Sequence, residues 1–277
     1  MTPADPHPPV PPRSRRSQPR FSSEARRAEL AGAFAAAGEG AGEDYDRLRP
    51  GYPDEALDAM LAAVPGAREA VDLGAGTGKL SRALAGRGLA VTAVDPAASM
   101  LAVLRSTGEV PGEGSVLAQQ GTAERTGLGE GSADLVTAAQ AWHWFDTEAA
   151  SREARRLLRP GGMLALLWNT MDVTVPWVHR LSRIMHAGDV QRDDFTPPLG
   201  AGLTVRERHV VHWEDPLPTG DLIDLARTRS YVITASAQTR GRVLGNLDWY
   251  LHEHLGHAPG DVVGLPYRTD LFLCASA

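Results

Sequence analysis

The sequence predicts an α/β fold, a doubly wound and mostly parallel sheet of seven strands with a helical lid inserted near its end. Three observations carry this. Short apolar runs alternate with helical runs from Pro53 to Trp168, a pattern that builds right-handed crossovers and a parallel sheet. The segment Val71-Asp-Leu-Gly-Ala-Gly-Thr-Gly-Lys-Leu80 reads as a strand end, a three-glycine turn and a helix start. A second apolar strand, Leu89 to Asp95, closes on an acid about 20 residues further on, the spacing at which an open α/β sheet holds a ribose.

The elements follow in order. Residues 1–21 are rich in proline and arginine and are expected to be a disordered tail. Ser22 or Ser23 caps an alanine-rich helix that ends near Ala37, and the glycines and acids from Gly38 to Asp44 are expected to break it. Pro53 to Val64 forms a helix with proline in its first turn and Leu57, Met60, Leu61 and Val64 on one face. The N-terminal helices and a cofactor lid thus occupy 22–64, and the core 65–202. Within the core, strands are expected at 69–73, 89–95, 115–120, 133–139 and 163–169, and helices at 79–86, 98–106 and 147–158. Arg159-Pro-Gly-Gly162 reads as the turn before the fifth strand. Residues 203–277 hold two more alternating strands, Leu203–Trp213 and Leu265–Ala275. Between these strands lies a cap insertion of about 219–257, with helices at 219–229 and 237–256.

The glycine turn brings backbone close to a ligand with no Cβ in the way. Lys79 stands where a dinucleotide fingerprint places its third glycine, and Asp72 would repel a pyrophosphate. A ligand carrying an amino group and a sulfonium would be attracted instead. On these residues the chain resembles the class I S-adenosylmethionine-dependent methyltransferases, of the small-molecule type that includes the trans-aconitate and ubiquinone-biosynthesis enzymes.

The resemblance implies a Rossmann-like core with an antiparallel last strand, and S-adenosylmethionine as cofactor. Asp72, Gly74, Gly76, Gly78 and Asp95 would bind it, with Ala123 and Glu124 near the adenine and Gln140 at the end of strand four. Tyr45, Arg49 and Tyr52 stand in a Y…RP-x-YP segment that covers the methionine end in that group, so Arg49 would hold its carboxylate and Tyr45 or Tyr52 would close over the methyl. Trp142, His143 and Trp144 follow strand four, and aromatic side chains there must line a pocket or a core. His143 is the candidate general base, since an unperturbed imidazole titrates near neutrality. Tyr52, Trp142, Trp144, Arg229, Tyr231 and Tyr267 are the candidate acceptor pocket. The bland alternatives are a solvated turn for Glu124, an exposed turn for Arg49 and backbone hydrogen bonding for His143.

A formal net charge of −6 argues against a nucleic-acid partner, although Arg13, Arg15, Arg16, Arg20, Arg26 and Arg27 crowd the front. A single cysteine, Cys274, forms no internal disulfide and fits a reducing cytoplasm. No apolar run suggests a membrane span. His252, His254 and His257 lack a carboxylate at metal-site spacing, so no metal is expected. The predicted function is methyl transfer to a small molecule on O, N, C or carboxyl by a monomer or homodimer. The alternatives are a non-methylating S-adenosylmethionine-binding protein and a nucleic-acid methyltransferase gripping phosphates with the arginine tail.

Overall fold

The computed structural model describes residues 41–108, 112–187 and 194–276. The expected tail and the helix after Ser22 lie outside them. The first elements are helices α1 (Ala41–Leu48) and α2 (Asp54–Ala62). Strands β1 (Glu69–Leu73) and β2 (Ala90–Asp95) then alternate with α3 (Lys79–Ala85) and α4 (Ala98–Ser106). Strands β3 (Ser115–Gln120) and β4 (Ala133–Ala139) precede a 3₁₀ turn, Trp142–Trp144, and helix α5 (Thr147–Leu157). Next come β5 (Leu158–Met171), α6 (Pro176–Ile184) and β6 (Leu203–Pro218). The insertion contains α7 (Thr219–Asp224), a 3₁₀ turn over Leu225–Thr228, α8 (Ser230–Ile233) and α9 (Ala237–Trp249) with a π turn over Tyr250–His254. Strand β7 (Val262–Ser276) closes the order.

Strands β6 and β7 run beyond the expected 203–213 and 265–275, the expected 219–229 helix divides into α7 and a 3₁₀ turn, and three other places also differ from the sequence reading. Residues 41–44, expected to break a helix, instead begin α1, because Glu43 and Asp44 sit in its first turn, where acids favour the positive end of the helix dipole, and Leu48 is buried at its end. Helix α6 was not anticipated. Its signal was Pro176 in the first turn, followed by Val178, Leu181 and Met185 at helical spacing, all three fully buried. Arg159–Gly162 belongs to β5 as an irregular stretch, since Ala133 pairs with Leu158 whereas Leu135 pairs with Met163.

The strands form one seven-stranded sheet in the order β3-β2-β1-β4-β5-β7-β6, and the pairs β2–β3, β1–β2, β1–β4 and β4–β5 are parallel. The winding reverses between β1 and β4. At such a switch the crevice beyond the carboxyl ends of the strands is open for a ligand, which here means the ground beyond Leu73 and Ala139.

The chain divides into two compact units. One comprises Gly51–Asn169, Thr196–Val211 and Thr269–Ala277, and its core includes Leu57, Met60, Leu84, Val91, Leu135 and Leu273. The other comprises the described residues up to Pro50, Thr170–Phe195 and His212–Arg268. Its core gathers Leu48, Leu181, Leu222, Leu225, Val232 and Leu247, so the insertion's helices have an apolar centre of their own.

In the first unit the loop between β3 and β4 is fixed by one carboxylate. Glu153 on α5 accepts from Thr126 N at 2.9 Å and Thr126 Oγ1 at 2.5 Å, and is gripped by Arg156 at 2.7 and 2.8 Å. The Arg156 hydrogen bonds draw the Glu153 pKa down to about 2. Glu153→Gln keeps the size but loses the charge that strengthens these bonds. In urea unfolding at pH 7 it is expected to cost about 1–3 kcal/mol, the scale of hydrogen bonds to charged groups.

Candidate active site

The turn after β1 reaches the switch point through backbone that other residues adopt with strain. Gly74 and Gly76 have φ of +69° and +56°. A Cβ on Gly74 would stand 2.6 Å from the Ala141 Cβ and 2.9 Å from the Phe145 ring, so the aromatic segment after β4 packs directly on the glycine turn. A Cβ on Gly76 would meet nothing within 4 Å, so this backbone faces open space. Asp95, at the end of β2, braces the same loop: one carboxylate oxygen accepts from Gly76 N and the other from Ala97 N, both at 2.8 Å. Each oxygen retains lone-pair capacity for a further donor.

Asp72 lies beneath the turn with 1% of its surface exposed. It accepts from Ser81 Oγ of α3 at 2.7 Å and from Thr137 Oγ1 of β4 at 2.8 Å. Burial raises its pKa to about 6, the two hydroxyls oppose that rise, and the nearby Asp95 charge adds to it. Two acids at adjacent strand ends, one deeply buried, give this ground a negative potential that favours a cation and disfavours phosphate.

Gln140, directly after β4, is one of the two non-glycine residues with positive φ among those described, at +56°. Strain of this kind persists only where neighbours over-determine it. Its N donates to Leu167 O at 2.8 Å and its Nε2 to Asn169 O at 2.6 Å. Asn169 is in turn tied to Gly51 O at 2.7 Å and to Thr269 Oγ1 at 2.6 Å. Sequence reasoning missed Ser81, Thr137 and Asn169, although Thr137 is the one polar residue within the apolar run Leu135–Ala139.

His143 sits in the 3₁₀ turn with its ring 5.0 Å from that of Trp144. Its Nδ1 is buried without a hydrogen-bond partner, and burial pulls its pKa down to about 4. The ring is neutral at physiological pH and less basic than the unperturbed imidazole from which the general-base expectation starts. Trp142 is fully buried and donates its indole N–H to Pro198 O at 2.8 Å, so it anchors the turn instead of offering a face to a ligand. Ala123 is also buried, and Glu124 accepts from Asp146 N at 2.9 Å, a structural bond in place of the solvated turn. Tyr52 packs against the core of this same unit.

The other expected residues belong to the second unit. Arg49 Nη2 donates to Thr228 O at 2.7 Å, and its guanidinium lies 5.2 Å from the Tyr45 ring centroid. Arg229 and Tyr267 are buried in the same neighbourhood, with Tyr267 stacked on Trp213 at 5.5 Å. Tyr231 is separate from them: it stacks on His186 at 4.1 Å and helps line a cavity of about 470 Å³ with Arg180, Arg183 and Arg242. His252 and His254 are both engaged, the first with His257 O at 2.9 Å and the second by stacking on Trp249 and Tyr250.

Comparison with known proteins agrees with this geometry. Residues 71–166, which span the glycine turn, both acids and the aromatic turn, match the model of a methyltransferase domain. An uncharacterised methyltransferase of Mycobacterium tuberculosis is 46% identical over 226 residues, covering 81% of this chain and 89% of its own length. The chain belongs to the methyltransferase family. It is a class I S-adenosylmethionine-dependent methyltransferase. An uncharacterised methyltransferase-like protein of Schizosaccharomyces pombe is 40% identical over 147 residues, 51% of this methyltransferase and 55% of the yeast protein. A solved structure of a candidate type II methyltransferase from Anaeromyxobacter dehalogenans superposes with a TM-score of 0.62 at 25% identity, covering 82% of this chain and 97% of that one.

The site fits the cofactor on its own chemistry. S-adenosylmethionine carries an ammonium, a sulfonium and ribose hydroxyls and no phosphate, the groups that a paired-acid floor with spare acceptors can serve. Within this unit, the spare acceptor capacity of Asp95 and the open backbone at Gly76 would meet it, with the Asp72 charge beneath the turn.

The two shifted groups act on stability in opposite senses. Asp72 has a folded pKa above its unfolded value, so its contribution is present below about 3.8 and is lost as pH rises through about 6. His143 has a folded pKa below its unfolded value, so its contribution is present above about 6.5 and is lost as pH falls toward about 4. Asp72→Asn removes the first. Relative to wild type, the variant is expected to gain stability between pH 4.5 and 7.5 by on the order of 2 kcal/mol, read as the difference between urea titrations at the two pH values.

Proposed function

We propose that this methyltransferase acts on a small-molecule acceptor, with the reaction centre at the switch point between β1 and β4. The observation that carries the proposal is the packing of the His143 turn directly against the glycine turn through Ala141, Phe145 and Gly74. A short, partly enclosed aromatic turn suits an acceptor of metabolite size. S-adenosylmethionine, when bound, supplies a methyl group already activated on a positive sulfur. The protein's tasks are to bind, orient and exclude water. Asp95 and Gly76 present acceptor and backbone to the nucleoside side, and Asp72 supplies negative charge beneath the loop. Ala123 and Glu124 border the adenine side, and Gln140 marks the end of β4. Trp144 and Phe145 supply the dry wall.

His143 has a narrower role in this reading. A neutral imidazole whose conjugate acid ionises near 4 is a weak base, far from the match that proton transfer at neutral pH requires. Its free Nδ1 is instead a hydrogen-bond acceptor or donor, according to tautomer, that orients the acceptor. The acceptor must then bring its own nucleophilicity, as an ionised or low-pKa group does. His143→Gln, which preserves a hydrogen-bonding side chain, is expected to keep turnover within about tenfold of wild type, whereas loss of a true general base costs about 10²–10⁴. The wild-type rate should also be flat from pH 5.5 to 8.5 in its His143 dependence.

Cofactor binding has its own test. Asp95→Ala should weaken S-adenosylhomocysteine in calorimetry by roughly one to two orders of magnitude, the scale of lost charge-assisted hydrogen bonds. Unchanged affinity would remove Asp95 from the site. A homocysteine-release assay against carboxylic acids, phenols and amines, with nucleic acid as a salt-titrated comparison, identifies the acceptor class.

A further inference from the structure

The cavity of about 470 Å³ lies between α6 and α9 of the second unit and is within the size range of small-molecule sites. Arg180 and Arg183 line it from α6. Arg242 lines it from α9, where Thr239, Arg242, Val243 and Asn246 recur at the spacing of one helix face. Leu181, Met185 and Val243 share one apolar core and so hold the two helices together. None of the described residues lining the cavity is acidic, so three guanidiniums share one space with no carboxylate among its described walls. Like charges gathered in this way repel one another and do nothing for the stability of the folded chain. Two further features belong to the same walls. His186 follows α6 with φ of +51°, a left-handed conformation that a helix end ordinarily gives to glycine. Its ring stacks on Tyr231 at 4.1 Å, and Tyr231 remains 44% exposed, so the pair sets an aromatic surface beside the cations. The Arg180 guanidinium lies 5.2 Å from the centroid of the buried Tyr250 ring, which holds it in place. Arg242 Nη2 donates to Thr239 Oγ1 at 3.4 Å, which leaves most of its N–H donors for another acceptor.

We infer that this cavity binds a small aromatic phosphate ester, with the phosphate on Arg180, Arg183 and Arg242. Three guanidiniums exceed the charge of a carboxylate. They match a phosphate monoester, which is close to a dianion at neutral pH and presents several acceptor oxygens to planar donor forks. The stacked His186–Tyr231 pair supplies a surface for the ring of the ester. Asn246, on the same face of α9, both donates and accepts, and so serves the ester's other polar groups. A dianion in the cavity offsets the repulsion among the arginines, and little ordering is left to Arg180, already packed on Tyr250. The site lies wholly within the second unit, and its chemistry is independent of which acceptor is methylated.

The full chain is titrated by calorimetry with phenyl phosphate, with phenol as its uncharged counterpart and with inorganic phosphate. Titrations are run with and without saturating S-adenosylhomocysteine, so a failure of cofactor binding leaves the comparison intact. Wild type is compared with Arg183→Met, Arg242→Met and Tyr231→Ala, and with Arg240→Met, which removes an α9 arginine that does not line the cavity. Melting midpoints without probe are recorded. Phenyl phosphate is expected to bind wild type and phenol is not. Arg183→Met and Arg242→Met should each weaken phenyl phosphate by about tenfold or more, the scale of a lost charge-assisted pair, while Arg240→Met stays within about twofold of wild type. Tyr231→Ala should weaken phenyl phosphate several-fold and leave inorganic phosphate unchanged. Both cavity variants should melt at or above the wild-type midpoint, because a repelling charge is removed. Failure of wild type to bind phenyl phosphate overturns the inference. Equal losses in Arg240→Met and the cavity variants overturn it too, in favour of diffuse surface charge. Inorganic phosphate binding as tightly as phenyl phosphate, with no effect of Tyr231→Ala, overturns the aromatic ligand. Cavity variants that melt well below wild type and keep their phenyl phosphate affinity overturn the site and assign the arginines to stability.

Discussion

The Asp72 carboxylate, out of water between β1, α3 and β4, is the constraint on which the catalytic unit is organised. Its two oxygens take a hydroxyl from Ser81 and one from Thr137, so one group at the end of β1 sets the first turn of α3 and the register of β4 beside it. Those bonds do not fully offset the desolvation of the charge, and its pKa stands near 6 as a result. A fold seeking only stability would place an amide or an apolar side chain there. Keeping the acid makes sense if a cation completes its environment, and a positively charged cofactor is such a cation.

The same unit shows how one backbone conformation serves several ends. Gly74 must be glycine because φ is positive and because Ala141 and Phe145 occupy the room a Cβ would need. Gly76 must be glycine for φ alone, and the room beside it stays open. Asp95 then joins the loop to the end of β2 through Gly76 N. Packing closes one side of the turn and hydrogen bonding steadies the other. The reversal of strand order between β1 and β4 opens the crevice beyond their carboxyl ends.

Much of this was legible in the sequence because it rests on local rules. The spacing of Asp72, the three glycines and Asp95 depends on a strand, a turn and a strand in immediate succession, and the strands at 69–73, 115–120 and 133–139 match the structure residue for residue. The groups that support the site were harder to see. Thr137 and Asn169 act through hydrogen bonds to residues distant in sequence, Ser81 through one to Asp72 across the glycine turn, and a lone hydroxyl or amide gives no clue to its partner. The state of His143 was illegible for a related reason: its residue type suggests a base, while its pKa is set by burial that only the packed turn reveals. Helix α6 was hidden by a short, mixed stretch whose apolar face becomes clear only once Val178, Leu181 and Met185 are seen in the second unit's core.

The electrostatics of the turn after β4 limit what the site can do to an acceptor. Burial lowers the pKa of the imidazole beside the glycine turn to about 4, which makes it a weak acceptor of protons and leaves it a hydrogen-bonding group. Such a group does not suit an acceptor that the enzyme must first deprotonate. A sulfonium methyl donor needs little chemical help, so the rate depends mainly on how well nucleophile, carbon and sulfur are aligned in a dry site. The features of the catalytic unit that cost stability are a buried acid and a strained Gln140, and neither moves a proton to or from an acceptor. The residue type most suited to taking a proton is held at low basicity.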